Sequence, residues 1–112
     1  MKKTKLGEFE ELVLLTVAVL QEDAYGVEIK RELEDRLSEK LSVGSIQSAL
    51  KRMEYKGFLT SEFGEATRVR GGKRKRIYSA TPYACKVLAE MKDVRTKLYE
   101  AVPVPLTIFQ LV

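Results

Sequence analysis

The 112-residue chain is 45% hydrophobic and 32% charged, enough for one domain with a modest core and too short for two ordinary ones. Twenty Lys and Arg against sixteen Asp and Glu leave a net charge of +4, which favours a polyanionic partner without requiring one. With no His and one Cys, a disulfide framework, a Cys/His zinc cluster and any triad using imidazole as its base are excluded. The longest apolar stretch, 12–20 interrupted by Thr16, falls short of the roughly 20 residues of a membrane span. It follows an acidic segment, 8–11, rather than the basic start of a signal peptide, so a cytoplasmic, reduced protein with no membrane association is expected.

The first predicted helix covers about residues 7–21, with Phe9, Leu12, Val13, Val17 and Leu20 on one stripe. Leu14, Leu15, Ala18 and Val19 widen that surface, which implies burial on more than one side. Asp23 is a candidate cap for a second helix, in which Ile29, Leu33 and Leu37 recur every fourth residue opposite Glu28, Lys30, Arg31, Glu32 and Glu34. Ser42 is the expected cap of a third helix, with Ile46, Ala49, Leu50 and Met53 as its buried stripe and Gly57 as its left-handed stop. Beyond Gly57 the period turns toward alternation, and 58–63 and 75–80 read as two strands of a hairpin. Their connection carries Gly64, Gly71 and Gly72 and a basic run, which describes a projecting tip rather than a tight turn. Thr81 and Pro82 then mark the start of a longer helix. Its apolar residues Ala84, Val87, Met91, Val94, Leu98 and Ala101 alternate at spacings of 3 and 4, a heptad-like seam that Pro103 and Pro105 terminate.

Three short helices, a hairpin and a longer helix predict a mainly α fold with a small β-hairpin: a winged helix-turn-helix followed by a C-terminal dimerisation helix. The expected division is a DNA-binding domain over 1–81, a dimerisation helix over 82–102 and an apolar tail over 103–112. Away from its buried stripe, the third helix offers Ser45, Gln47, Ser48, Lys51, Arg52 and Tyr55, which are hydroxyl, amide and cationic groups suited to base edges and phosphates. Gly44, Ser45 and Ser48 keep its first half slim enough for a major groove about 12 Å wide. An ordinary solvated face is the plainer alternative. Between the strands, Arg68, Arg70, Lys73, Arg74, Lys75 and Arg76 make a cationic wing with no acid among them, suited to phosphates and otherwise a solubilising loop. Lys2, Lys3 and Lys5 read equally well as a DNA arm or a solvated terminus. The long seam outruns the body of so small a domain, so part of it calls for a partner's identical helix.

Several motifs, in order, resemble the PadR family of bacterial transcriptional regulators across about residues 6–100. They are Tyr25-Gly26-Val27-Glu28-Ile29 opening the second helix, Gly44-Ser45-Ile46-Gln47-Ser48-Ala49-Leu50-Lys51-Arg52-Met53-Glu54 in the third, and Lys56-Gly57-Phe58-Leu59 at its exit. Gly71-Gly72-Lys73-Arg74-Lys75 in the wing and Ile77-Tyr78 through Thr81-Pro82 complete the set. The resemblance implies a homodimer on a pseudo-palindromic duplex site, most simply a repressor, with Tyr25 at the DNA backbone. Gln47 stands where the family commonly has an aromatic and Ala84 where it has a glycine, and Gln47 is able to pair with adenine instead. Relatives that stack planar drugs use a Trp at the dimer centre, which this chain lacks.

The expected partners are therefore double-stranded DNA and a second copy of the chain, with no cofactor and no metal. Tyr83 and Tyr99 border a space between protomers in which a small-molecule effector of unidentified chemistry has room, or are simply packing residues with wet edges. Cys85 reads as a small buried hydrophobe rather than a sensor. The tail 106–112 is too apolar to float freely, and covering the dimer groove, adding a strand and meeting another copy are all open to it. Catalysis is not expected, since no Lys or Tyr acid/base pair sits at a phosphate loop or metal motif. A winged-helix module for protein contacts, without specific DNA binding, is the alternative function.

Overall fold

A computed structural model of the chain describes residues 6–64 and 75–104. The predicted arm (Lys2, Lys3 and Lys5), most of the predicted wing (Arg68, Arg70, Lys73 and Arg74) and the tail 106–112 lie outside the described residues. The elements follow in the expected order: α1 (Glu8–Leu20), a short 3-10 turn (Gln21–Asp23), α2 (Gly26–Leu37), α3 (Val43–Tyr55), β1 (Leu59–Phe63), β2 (Arg76–Ala80) and α4 (Pro82–Ala101). This is a winged helix-turn-helix with a C-terminal helix, as the sequence pattern predicts.

Local signals explain most of the boundaries. The Ser42 hydroxyl accepts the Ser45 amide at 3.0 Å and caps α3. At the other end Gly57 takes φ 87°, while the Phe58 amide donates to the Met53 carbonyl (2.8 Å) and the Gly57 amide to the Glu54 carbonyl (3.2 Å). That pair of bonds is a Schellman stop, which needs a residue at ease in the left-handed region. Thr81 caps α4 by accepting the Ala84 amide at 3.1 Å, and its hydroxyl donates to the Gly57 carbonyl at 2.7 Å, which ties the start of α4 to the end of α3. Asp23 does not cap α2. The 3-10 turn consumes it, Tyr25 takes the N-cap position without a side-chain bond, and the helix opens at Gly26. The displacement follows from Ala24, which is fully buried and whose carbonyl is claimed by the Tyr78 amide at 2.8 Å.

The same contact fastens the hairpin to the helices. β1 and β2 pair antiparallel with Leu59 opposite Ala80 and Phe63 opposite Arg76, and Tyr25 adds an antiparallel bridge to Ile77. Val13, Leu14, Val17, Ile29, Leu33, Ile46, Leu50, Met53, Phe58 and Leu59 fill one core between α1, α2, α3 and the base of the hairpin. Phe58 also stacks on Tyr83 of α4, ring centres 5.0 Å apart. The turn between α2 and α3 is held by Glu34, whose Oε2 accepts the Leu41 amide at 2.8 Å and Lys30 at 3.0 Å.

Two apolar surfaces stay uncovered. Leu15, Ala18 and Val19 of α1 are exposed, so within the chain this helix is buried on fewer sides than its composition predicts. Along α4, Ala84 is buried and Val87 and Met91 are half-buried, but Val94 and Leu98 are 57% and 63% exposed and Ala101 is open. Cys85 is exposed rather than buried: the α4 face that meets the core carries Ala84, Val87 and Leu88, and Cys85 points away from it. Among the described residues no helix is long and apolar enough to cross a membrane.

Candidate nucleic-acid interface

The amphipathic division of α3 is sharp. Ile46, Ala49, Leu50 and Met53 are buried to 1% or less, and Ser45, Gln47, Ser48, Lys51, Arg52 and Tyr55 are all exposed on the other side. Helical spacing sets these six in two adjacent rows, Ser45-Ser48-Arg52 and Gln47-Lys51-Tyr55. Their engagements differ. The Ser45 hydroxyl is spent on the cap, donating to the Ser42 carbonyl at 3.1 Å. Gln47 leans over the start of α2, its Nε2 within 2.8 Å of where a Cβ on residue 26 would stand, so Gly26 leaves room for this close approach. Lys51 makes no ion pair among the described residues, and Tyr55 is 93% exposed.

The contrast with α2 is electrostatic. Lys30 pairs with Glu34 (3.0 Å), Arg31 with Glu28 (3.0 Å) and Arg36 with Glu32 (2.7 Å), so α2 neutralises its own cations. On α3, Arg52 and Lys56 instead reach across to Glu10 of α1, at 2.9 and 3.1 Å. Burial opposes the charge on Glu10, but the Gly7 amide, Arg52 and Lys56 outweigh it and hold the carboxyl below the usual range. Glu34 is likewise held low, by the Leu41 amide first and then Lys30. Tyr78 shifts the other way, raised mainly by burial, and serves as a packing residue.

At the base of the wing, the Lys75 ammonium sits 4.4 Å from the centre of the Tyr25 ring, bringing a predicted wing cation onto the residue singled out at the start of α2. Arg76 lies 4.3 Å over Phe63 and donates to the Ser61 hydroxyl at 2.8 Å, which donates to Glu54 at 2.6 Å. A shallow cleft of about 280 Å³ runs between α2 and α3, lined by Gly26, Val27, Lys30, Arg31, Glu34, Val43, Ile46 and Gln47. The described residues contain no cluster of His, Cys, Asp or Glu able to hold a metal ion. Sequence reasoning passes over Glu10 and Glu11. Glu10 does carry one local signal, three residues into α1, where its Oε1 accepts the Gly7 amide at 2.8 Å. Glu11, also buried, receives Arg95 of α4 at 2.6 Å, a contact across 84 positions that no local pattern announces.

The fold recurs in solved structures. A PadR-like transcription factor from Bacteroides fragilis is similar in fold, with a TM-score of 0.68 at 22% identity over 84% of this chain and 85% of that one. A PadR family transcriptional regulator from Eggerthella lenta is 27% identical over 85% of this chain and 82% of its own, with a TM-score of 0.64. A PadR family transcription regulator from Clostridium difficile reaches 30% identity over 81% and 92%, with a TM-score of 0.59. No curated protein matches the chain. Residues 14–90, which contain α2, α3, the hairpin and the first half of α4, match the profile of the PadR-like family, and the chain therefore belongs to the PadR-like family of transcriptional regulators.

Proposed function

We propose that the chain is a cytoplasmic, homodimeric transcriptional repressor without catalytic activity, which binds a pseudo-palindromic duplex site through α3 and the wing. The observation that carries this reading is the outer face of α3, where Lys51 is exposed and unpaired among the described residues while every cation named on α2 is neutralised in place. Ser45, Gln47, Ser48, Lys51, Arg52 and Tyr55 face the major groove in this reading, with Gln47 reading a base, and Tyr25 lies at the backbone. Arg68, Arg70, Lys73, Arg74, Lys75 and Arg76 act as the electrostatic wing. Residues 1–81 form the DNA-binding unit, 82–102 the dimerisation helix and 103–112 an accessory tail. The partner's copy covers the distal seam of Val94, Leu98 and Ala101 together with Leu15 and Val19 of α1, all exposed in the single chain. Any effector, of chemistry not set by this sequence, binds between protomers beside Tyr83 and Tyr99.

Selection of bound duplexes from a random pool tests the reading, followed by salt titration of the winners. Two-fold symmetric sites and a steep fall of affinity with salt are expected. Val43 and Tyr55, exposed at opposite ends of α3, also suit a protein partner. Salt-insensitive or absent duplex binding would favour that second function.

A further inference from the structure

Glu10 has an environment unlike that of a surface acid. It is 5% exposed, and its carboxylate accepts from the Gly7 amide (2.8 Å), Arg52 Nε (2.9 Å) and Lys56 Nζ (3.1 and 3.2 Å), so both oxygens are occupied and the group is fixed. Arg52 is different: its side chain is 51% exposed, and Nε makes its only hydrogen bond among the described residues. A guanidinium is planar, and a carboxylate held on Nε leaves the two terminal amino groups available on the same rigid plate. Lys56 shares the carboxylate, so Glu10 is not spent on Arg52 alone, and a phosphate approaching the half-exposed Arg52 still meets attraction.

We propose that Glu10 is a positioning residue for DNA binding, clamping the Nε edge of Arg52 from α1 so that its terminal amino groups stand ready at the Ser45-Ser48-Arg52 row of α3 to take one backbone phosphate. The inference rests on the reading of α3 as the duplex-facing helix. An arginine held in advance loses less freedom on contact, so its phosphate bond is worth more than that of a freely moving side chain. Lysine does not replace it, because one ammonium cannot present separate edges to Glu10 and to a phosphate.

The test uses the full chain and one selected duplex, with affinity followed against salt for the parent, Arg52→Ala, Arg52→Lys, Glu10→Gln and the Glu10→Gln/Arg52→Ala double variant. Thermal unfolding checks that each is folded. Arg52→Ala is expected to weaken binding roughly three- to tenfold per half-site, with Arg52→Lys recovering less than half of the loss. Glu10→Gln should weaken binding comparably, and Arg52→Ala should then cost little more. Additive losses, or tighter binding by Glu10→Gln, would overturn the proposal by showing the carboxylate to be only a counter-charge. Should Glu10→Gln fail to fold, Arg52→Lys decides: parental affinity and salt slope in that variant overturn the clamp. If instead the parent binds no duplex, or binds one that Lys51→Ala holds with unchanged affinity and salt slope, the duplex-facing reading of α3 itself has failed, an outcome distinct from a parent that binds through Lys51 while Glu10 and Arg52 act independently.

Discussion

Replacing Lys51 by Ala isolates the charge on the outer face of α3. Lys51 is exposed and has no carboxylate partner among the described residues, so in the bound state its full charge is free to neutralise a phosphate. Each neutralised phosphate contributes about −0.9 to the slope of log affinity against log salt, so the two protomers of the proposed dimer lose about 1.8 units of slope. Between roughly 50 and 200 mM salt, the deficit of the variant should therefore shrink about tenfold, being greatest at low salt. Lys30→Ala is the matched control. Its ammonium already lies 3.0 Å from Glu34, and after its removal Glu34 still accepts the Leu41 amide that holds the turn, so the parental slope should persist. Fluorescence anisotropy of a labelled duplex across a salt series measures both. Equal slope changes in the two variants, or none in Lys51→Ala, would show that α3 does not present its charge to the duplex.

Leu98→Asp places a charge on the exposed distal part of α4, so the isolated chain should keep its thermal stability while the proposed dimer dissociates; light scattering giving an unchanged mass would remove this seam from the interface. Gly57→Ala forces a Cβ residue to φ 87°, where open space surrounds it and only backbone strain opposes it; a loss of roughly 1 kcal/mol is expected in urea unfolding, and parental stability would contradict the Schellman account. Phe58→Ala empties a fully buried site stacked on Tyr83 and should cost about 3–5 kcal/mol, read from the denaturation midpoint. Glu10 and Glu34 both titrate below their ordinary value of 4.5 in the folded chain, so between that value and their folded values the unfolded chain binds more protons. Their contribution to stability is thus complete above about pH 4.5 and lost as pH falls through the folded values. A denaturation midpoint unchanged down to about pH 3 would refute this.

Where a structural cause lies within a few residues, this chain shows it in its letters. Ser42 caps α3 through an amide three positions on, Gly57 stops it with its own amide on Glu54 and the Phe58 amide on Met53, and Thr81 with Pro82 opens α4. The helical stripe of Ile46, Ala49, Leu50 and Met53 likewise determines which face of α3 is buried, and so which residues are left to meet a partner. Causes that act across the chain are not legible in this way. The cap expected at Asp23 gives way to Tyr25 because β2, more than 50 positions later, claims the Ala24 carbonyl, a local preference overruled by a strand pairing. Cys85 is apolar enough for a core, but the face of α4 that packs on the body carries Ala84, Val87 and Leu88 and leaves Cys85 in solvent. Residues 8–11 read only as an acidic run until the fold carries Glu10 to Arg52 and Lys56, and Glu11 to Arg95. Helical periodicity states which residues share a face, but carries no information about which distant charge that face will meet. Only the packing of α1 against α3 and α4 decided that, because a carboxylate taken out of water must find its cation wherever the tertiary structure supplies one.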